Sequence, residues 1–360
     1  MPIFRFSKAF GIARGAKVFL NLEGGLTGGA VPDIDRYKKQ ADQSKKQAEK
    51  LKNARQLLEQ QRKTLRYKER MISGLKNKLH PKEVFLLENE LRAEEWRAAG
   101  EPVPEVLPNF VIIGAQKSGT TFLYNLLTRH PYVEGTFEKE VHYFDRYFEK
   151  GIEWYRSQFP LPKRNEERKF ITGETTPDYL FHPHAAKRMV KVVPQARLIL
   201  LLRNPVDRAY SHYHHNLTRK GRETLGFEEA IEAEEARLHG EMDKMLKDER
   251  YTSYEYRHFS YLYKGIYVDH LLRWSEFFYK DQMLVLKSED FYEHSLETLK
   301  VIQTFLHLPL WKPEPSVLST LPKRQNRYPE MNLATRRRLE EYFAPHNRRL
   351  YEYLGVDFGW

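Results

Sequence analysis

The sequence predicts an α/β protein with a P-loop-like central parallel sheet flanked by helices and an N-terminal helical or coiled-coil extension. Three observations predict it. The apolar runs Phe110–Ile113, Leu198–Leu202 and Met283–Leu286 read as strands buried on both faces. Segments of helical spacing accompany them, among them Arg208–Leu217, Phe227–Leu246 and Tyr267–Phe278. The glycine-bounded loop Gly114-Ala115-Gln116-Lys117-Ser118-Gly119-Thr120-Thr121 joins the first run to a helical pattern from Phe122 to Arg129.

In chain order, residues 1–32 read as a flexible leader. Met1–Gly29 holds Arg5, Lys8, Arg14 and Lys17 but no apolar run of membrane-spanning length, so a soluble protein without a transmembrane segment is expected. Membrane-peripheral contact through Phe4–Leu22 is the alternative. After the linker Gly24–Gly29, proline and glycine are absent between Pro32 and Gly74, which predicts a long helix over 33–80. Leu51, Leu58, Leu65, Ile72 and Leu79 recur every seven residues. Ala54 and Leu75 share a companion position with the polar Gln47, Gln61 and Lys68. The pattern fits a coiled coil, through which a homo-oligomer would form, and equally a single amphipathic helix. Residues 81–108 form a helical linker closed by Pro102, Pro104 and Pro108, and the main domain spans 109–360.

The net charge of +11 would suggest nucleic acid, but residues 33–80 hold fifteen Lys/Arg against six Asp/Glu, a net +9 that leaves +2 elsewhere. No nucleic-acid partner is expected of the main domain. The absence of cysteine excludes disulfides, thiolate metal sites and a cysteine nucleophile.

The Gly114–Thr121 loop between a buried strand and a helix start is a phosphate seat. A nucleoside-triphosphate loop would place Lys and then Ser or Thr after the second glycine; here Thr120 and Thr121 follow Gly119, and the lysine stands inside the loop as Lys117. The second strand runs into Arg203 where a magnesium enzyme would carry a carboxylate. That combination suits a nucleotide transferring something other than a phosphoryl group.

These features resemble the sulfotransferase family. Gly114–Thr121 is similar to its 5'-phosphosulfate loop, and Arg203-Asn204-Pro205-Val206-Asp207-Arg208-Ala209-Tyr210-Ser211-His212-Tyr213 to its 3'-phosphate motif. The heparan-sulfate, or carbohydrate, type of domain is the nearer likeness, through Lys139–Asp145, Lys150–Tyr155, Gly265–Leu271 and Asp357–Trp360. The resemblance implies 3'-phosphoadenosine-5'-phosphosulfate (PAPS) as donor, 3'-phosphoadenosine-5'-phosphate (PAP) as product, and no metal. It implies that Lys117, Ser118, Gly119, Thr120 and Thr121 hold the 5'-phosphosulfate, and Arg203 with Ser211 the 3'-phosphate. Glu140 matches the catalytic base, Lys117 would stabilise the leaving oxygen, and His142 and Asp145 would support Glu140 or touch the acceptor. Arg327 and Lys323 lie where related enzymes close a basic loop over the nucleotide. Thr175, in Glu174-Thr175-Thr176-Pro177-Asp178-Tyr179, stands where the heparan type often has lysine, at an expected substrate contact.

The expected acceptor is a glycan or another hydroxyl or amine substrate. Because no anchor of the kind found in animal Golgi enzymes is visible, a cytoplasmic, bacterial protein is expected. The histidines His142, His182, His184, His212, His214 and His215 show no metal-binding spacing. The alternatives are a P-loop nucleotide kinase or triphosphatase, and an inactive sulfotransferase-like scaffold.

Overall fold

The computed structural model describes residues 34–164, 170–218, 221–319 and 328–360. Five strands, β1 (Phe110–Gly114), β2 (Val133–Gly135), β3 (Ile171–Thr175), β4 (Arg197–Leu202) and β5 (Met283–Lys287), form one sheet in the order β2-β3-β1-β4-β5. Every pairing is parallel, with Ile112 opposite Thr175, Val111 opposite Leu198 and Leu202 opposite Lys287.

Strand alternation divides the apolar runs between two core layers. Phe110, Ile112, Ile199 and Leu201 pack with Leu123, Leu127, Leu299 and Ile302 on one face. Val111, Ile113, Leu198 and Leu200 pack with Tyr143, Tyr155 and Trp274 on the other. Burying both faces is what makes these strands continuously apolar. β1 is central, and the chain visits β2 and β3 on one side before β4 and β5 on the other. The loops leaving β1, β3 and β4 therefore emerge side by side at the carboxyl edge, where open parallel sheets place ligands.

Two departures from the sequence reading have physical causes. β3, with Thr172, Gly173, Glu174 and Thr175 all buried, is polar for an interior strand and escapes a hydrophobicity reading. It is held by its own hydrogen bonds, such as Thr172 Oγ1 to the Glu134 carbonyl at 2.8 Å. The single helix expected over Phe227–Leu246 is three helices, Phe227–Glu232, Glu234–Leu238 and Glu241–Lys247, the last preceded by Gly240 at φ +72°.

Ahead of the sheet lie α1 (Ile34–Leu75) and α2 (Pro81–Ala98). His80 and Glu83 cap α2 reciprocally. Its side chains reach the main domain: Asn89 donates to the Phe159 carbonyl at 2.9 Å, and Trp96 Nε1 to the Pro162 carbonyl at 2.9 Å. The chain divides into two compact units, residues 1–62 and 63–360. In the first, Leu51 and Leu58 are 60% and 44% exposed. In the second, Ile72 is buried, and Lys68 and Lys76 pair with Glu94 and Glu88 of α2 at 2.6 and 2.8 Å.

Candidate active site

The loop after β1 turns into α3 (Thr120–Leu127) through Gly119, whose φ of +98° lies in the region that favours glycine. A Cβ there would stand 2.6 Å from the Tyr292 hydroxyl. The start of α3 presents backbone N–H groups that have no partner within the helix, together with the positive end of its dipole. Lys117, at φ +72°, projects from the same loop with Nζ 3.4 Å from His215 Nδ1. The Ser118 hydroxyl is buried with no hydrogen-bond partner among the described residues, and the Ser118 carbonyl accepts from Ser288 Oγ at 2.7 Å.

Beyond β4, Asn204 caps α4 (Pro205–Thr218): its Oδ1 accepts from the amides of Val206 at 3.0 Å and Asp207 at 3.3 Å. Arg203, just before the cap, donates from Nη1 to the Lys117 carbonyl at 3.2 Å, and its own carbonyl accepts from Tyr267 at 2.8 Å. The loops that follow β1 and β4 are thus tied together. Ser211 and His215, one turn apart on α4, line the same cleft as Lys117 and Arg203. Its volume is about 1110 Å³.

Glu140 and Lys139 also line that cleft. The Lys139 ammonium donates to the Thr121 hydroxyl and lies 3.5 Å from Glu140, whose side chain is 41% exposed. Behind Glu140, His142 adopts φ +54°. Its Nε2 is 3.4 Å from Glu140 and its Nδ1 is 2.8 Å from Asp145. Burial alone would lower the imidazole's pKa, but the hydrogen bonds it donates to Asp145 and Glu140 lift it to about 9. Desolvation pushes the Glu140 carboxyl up; His142 and Lys139 outweigh it and leave the pKa below its ordinary value.

Asp178, from the loop after β3, lines the cleft beside Glu140. It accepts from the buried Lys264 at 3.2 Å and from Arg146 at 3.1 Å. Desolvation opposes its ionisation, but Lys264, His142 and Arg146 together hold its pKa well below the ordinary carboxylate value. His142, Asp145 and Asp178 bring three ligand-type atoms within 4.8 Å of one another, a spacing a metal could use. With Glu140 they supply three carboxylates, and protonated His142, Arg146 and Lys264 already supply three positive charges around them. That balance makes an ion-pair network the better description.

The structure brings Lys117, Gly119, Thr120, Thr121, Glu140, Arg203 and Ser211 to one cleft. Ser118 lies beneath the loop, and His142 and Asp145 lie behind Glu140. Thr175 corrects the expectation of a substrate contact: at the end of β3 it is wholly buried and does not line the cleft. Asp178 occupies the wall instead, and the sequence reading passed over it because its exposure depends on how the chain leaves β3. Lys323 and Arg327 lie outside the described residues. Just after them, Tyr328 stacks on His214 at 4.4 Å and the Pro329 carbonyl accepts from Tyr210 at 3.0 Å. Tyr292, which lines the cleft beside Gly119, was also missed; it belongs to no recognised motif.

Residues 107–324 match the family model of the sulfotransferase domain. The chain belongs to the sulfotransferase family. This sulfotransferase is 28% identical over 363 residues to the membrane-associated sulfotransferase kil1 of Dictyostelium discoideum, covering 82% of the chain and 72% of that protein. It is 32% identical over 278 residues to human heparan sulfate glucosamine 3-O-sulfotransferase 3B1, covering 71% of the chain and 65% of that protein. Over 271 residues it is 29% identical to bifunctional heparan sulfate N-deacetylase/N-sulfotransferase 1 of Caenorhabditis elegans, covering 69% of the chain but only 30% of that protein's length. Among solved structures, a sulfotransferase from Alicyclobacillus acidocaldarius superposes with a TM-score of 0.55 at 28% identity, covering 70% of the chain and 98% of that one.

The relatives overturn the expectation of a cytoplasmic protein. One is described as membrane-associated, and those with the heparan sulfate activities come from animals. The expectation had rested on a missing spanning segment, which does not distinguish a cytoplasmic protein from one held at a membrane surface. Among the described residues, no helix is long and apolar enough to cross a membrane.

Proposed function

We propose that this sulfotransferase moves the sulfuryl group of PAPS to a hydroxyl or amine of a carbohydrate, with Glu140 as the base. The observation that carries the reading is the convergence of Lys117, Arg203, Ser211 and Glu140 on one cleft. The N–H groups opening α3 and the Lys117 ammonium suit the 5'-phosphosulfate, and the Arg203 fork with the Ser211 hydroxyl suits the 3'-phosphate. Among the described residues the Ser118 hydroxyl and Arg203 Nε have no hydrogen-bond partner, and they are buried donors of the kind a polyanionic ligand satisfies.

In the transfer, the acceptor oxygen or nitrogen forms a bond to sulfur as the bond from sulfur to the bridging oxygen breaks. Glu140 takes the acceptor's proton, and the electron pair of the broken bond stays on the phosphate oxygen, beside Lys117. His142 and Lys139 keep the Glu140 carboxyl ionised near neutral pH, the form a base must have. The heparan sulfate relatives support a carbohydrate acceptor.

The test uses labelled PAPS with an oligosaccharide panel, and calorimetry with PAP. Glu140→Gln is expected to bind PAP within about twofold of the parent and to lose about 10²–10⁴-fold in turnover. Full turnover in that variant would remove Glu140 from the role of base. Failure of the parent to bind PAP, with stabilisation by ATP and magnesium, would replace the sulfuryl donor with a nucleoside triphosphate.

A further inference from the structure

We propose that Glu174, which is buried and does not line the cleft, is the positioning residue that sets the backbone behind Glu140. It rests on the reading of Glu140 as base. Glu174 is completely buried in β3, and its carboxylate accepts from three hydroxyls. Oε1 accepts from Tyr155 at 2.7 Å and Tyr179 at 3.1 Å, and Oε2 accepts from Thr176 at 2.7 Å.

Two of these hydroxyls act a second time. The Thr176 oxygen accepts from the amide of His142 at 3.3 Å, and the Tyr179 oxygen accepts from the amide of Tyr143 at 2.8 Å. Each hydroxyl has one proton. While the carboxylate takes that proton, the oxygen's lone pairs remain free for the amide. One buried charge therefore orients both acceptors that grip successive peptides, at the place where His142 takes its left-handed conformation. Glu140 is two residues away.

An amide side chain at position 174 breaks this logic. Glutamine offers one oxygen and one N–H₂, so a hydroxyl that faced a lone pair now faces a donor. That hydroxyl must turn its proton elsewhere, and its hold on the loop amide weakens. The groups facing Glu174 are Tyr155 from the helix Gly151–Arg156, Tyr179 and Thr176 from the loop after β3, His142 from the Glu140 segment, and Tyr124 from α3. Only His142 among them carries positive charge, and burial raises Glu174 to about 7. Glu140 is shifted the opposite way, so the two carboxyls titrate apart.

The test compares Glu174→Gln and Thr176→Val with the parent and with Glu140→Gln, measuring PAP affinity, kcat, acceptor KM and the pH dependence of kcat. Expected are PAP affinity within about twofold, kcat lowered about 10–100-fold in both variants, and, in Glu174→Gln, loss of an acid limb near pH 7. Thr176→Val keeps the shape while removing one of the two grips, and decides the matter if Glu174→Gln does not fold. The proposal is overturned if kcat stays within twofold in the folded variants, or if PAP affinity falls as far as kcat. Glu140→Gln separates the two ideas: unchanged turnover there removes the base assignment, whereas an inactive Glu140→Gln beside fully active Glu174→Gln and Thr176→Val removes only the positioning role.

Discussion

His142 bridges two carboxylates, its Nδ1 2.8 Å from Asp145 and its Nε2 3.4 Å from Glu140. The imidazole is consequently held protonated to about pH 9, against the effect of its burial. Because the folded pKa is raised above the usual histidine value, the stabilisation is fully present below about pH 6.5 and is lost as pH rises through about 9. Asp145→Asn should bring the His142 ring titration, followed by NMR, down towards about 6.5. It should also flatten the change in urea midpoint between those two pH values. A ring that still titrates near 9 would show that Asp145 is not the cause.

Lys264 and Asp178 form a second test, because Lys264 is almost wholly buried and the contact is 3.2 Å. Lys264→Met leaves Asp178 with His142 and Arg146 as its nearby cations, and should destabilise the fold by about 3–5 kcal/mol in urea unfolding. Adding Asp178→Asn should recover much of that loss. The folded pKa of Asp178 is depressed, so its contribution is present above the unfolded value of about 3.9 and is lost progressively as pH falls from there through the lower folded value. Equal, additive losses from the two substitutions would refute the coupling.

Gly119→Ala places a Cβ at φ +98° and 2.6 Å from the Tyr292 hydroxyl. It should cost about 1–2 kcal/mol of stability and weaken PAP at least roughly tenfold by moving the amides that open α3. Gly100→Ala is the control: φ is +74°, and nothing lies within 4 Å of the added carbon. Its stability loss should be comparable, with PAP affinity untouched. Equal PAP affinities for the two variants in calorimetry would argue against a donor seat at Gly119.

Arg203→Lys should weaken PAP by about 10–100-fold, since lysine keeps the charge but loses the planar fork. Lys117→Ala should act mainly on turnover, lowering kcat by about 10²–10³-fold, because its charge matters most when the leaving oxygen becomes negative. Calorimetry and single-turnover rates separate the two effects. A Lys117→Ala variant impaired only in PAP binding would place that ammonium in binding alone.

Much of the site was legible because its chemistry is local. Lys117, Gly119 and Thr120 sit within one loop whose conformation follows from its glycine and the helix it opens, and Arg203 follows directly from an apolar strand. Ser211 and His215 share a helical face, which spacing alone can express. β3 was not legible, because Thr172, Glu174 and Thr175 are buried by hydrogen bonding instead of by apolar character. Thr175 was assigned to the acceptor from its place in a motif, and the end of the strand turned it into the interior.

The sequence by itself determined the strand cores, the loop that joins β1 to α3 and the helical face that Ser211 shares with His215, because each depends on residues close together in the chain. Only the tertiary structure decided which charges face one another. Lys264 and Asp178 are 86 residues apart, and so are Arg203 and the Lys117 carbonyl. Parallel strand order brings the ends of β1, β3 and β4 to one edge, and the distances between side chains from separate loops then set the ionisation of Glu140, His142 and Asp178.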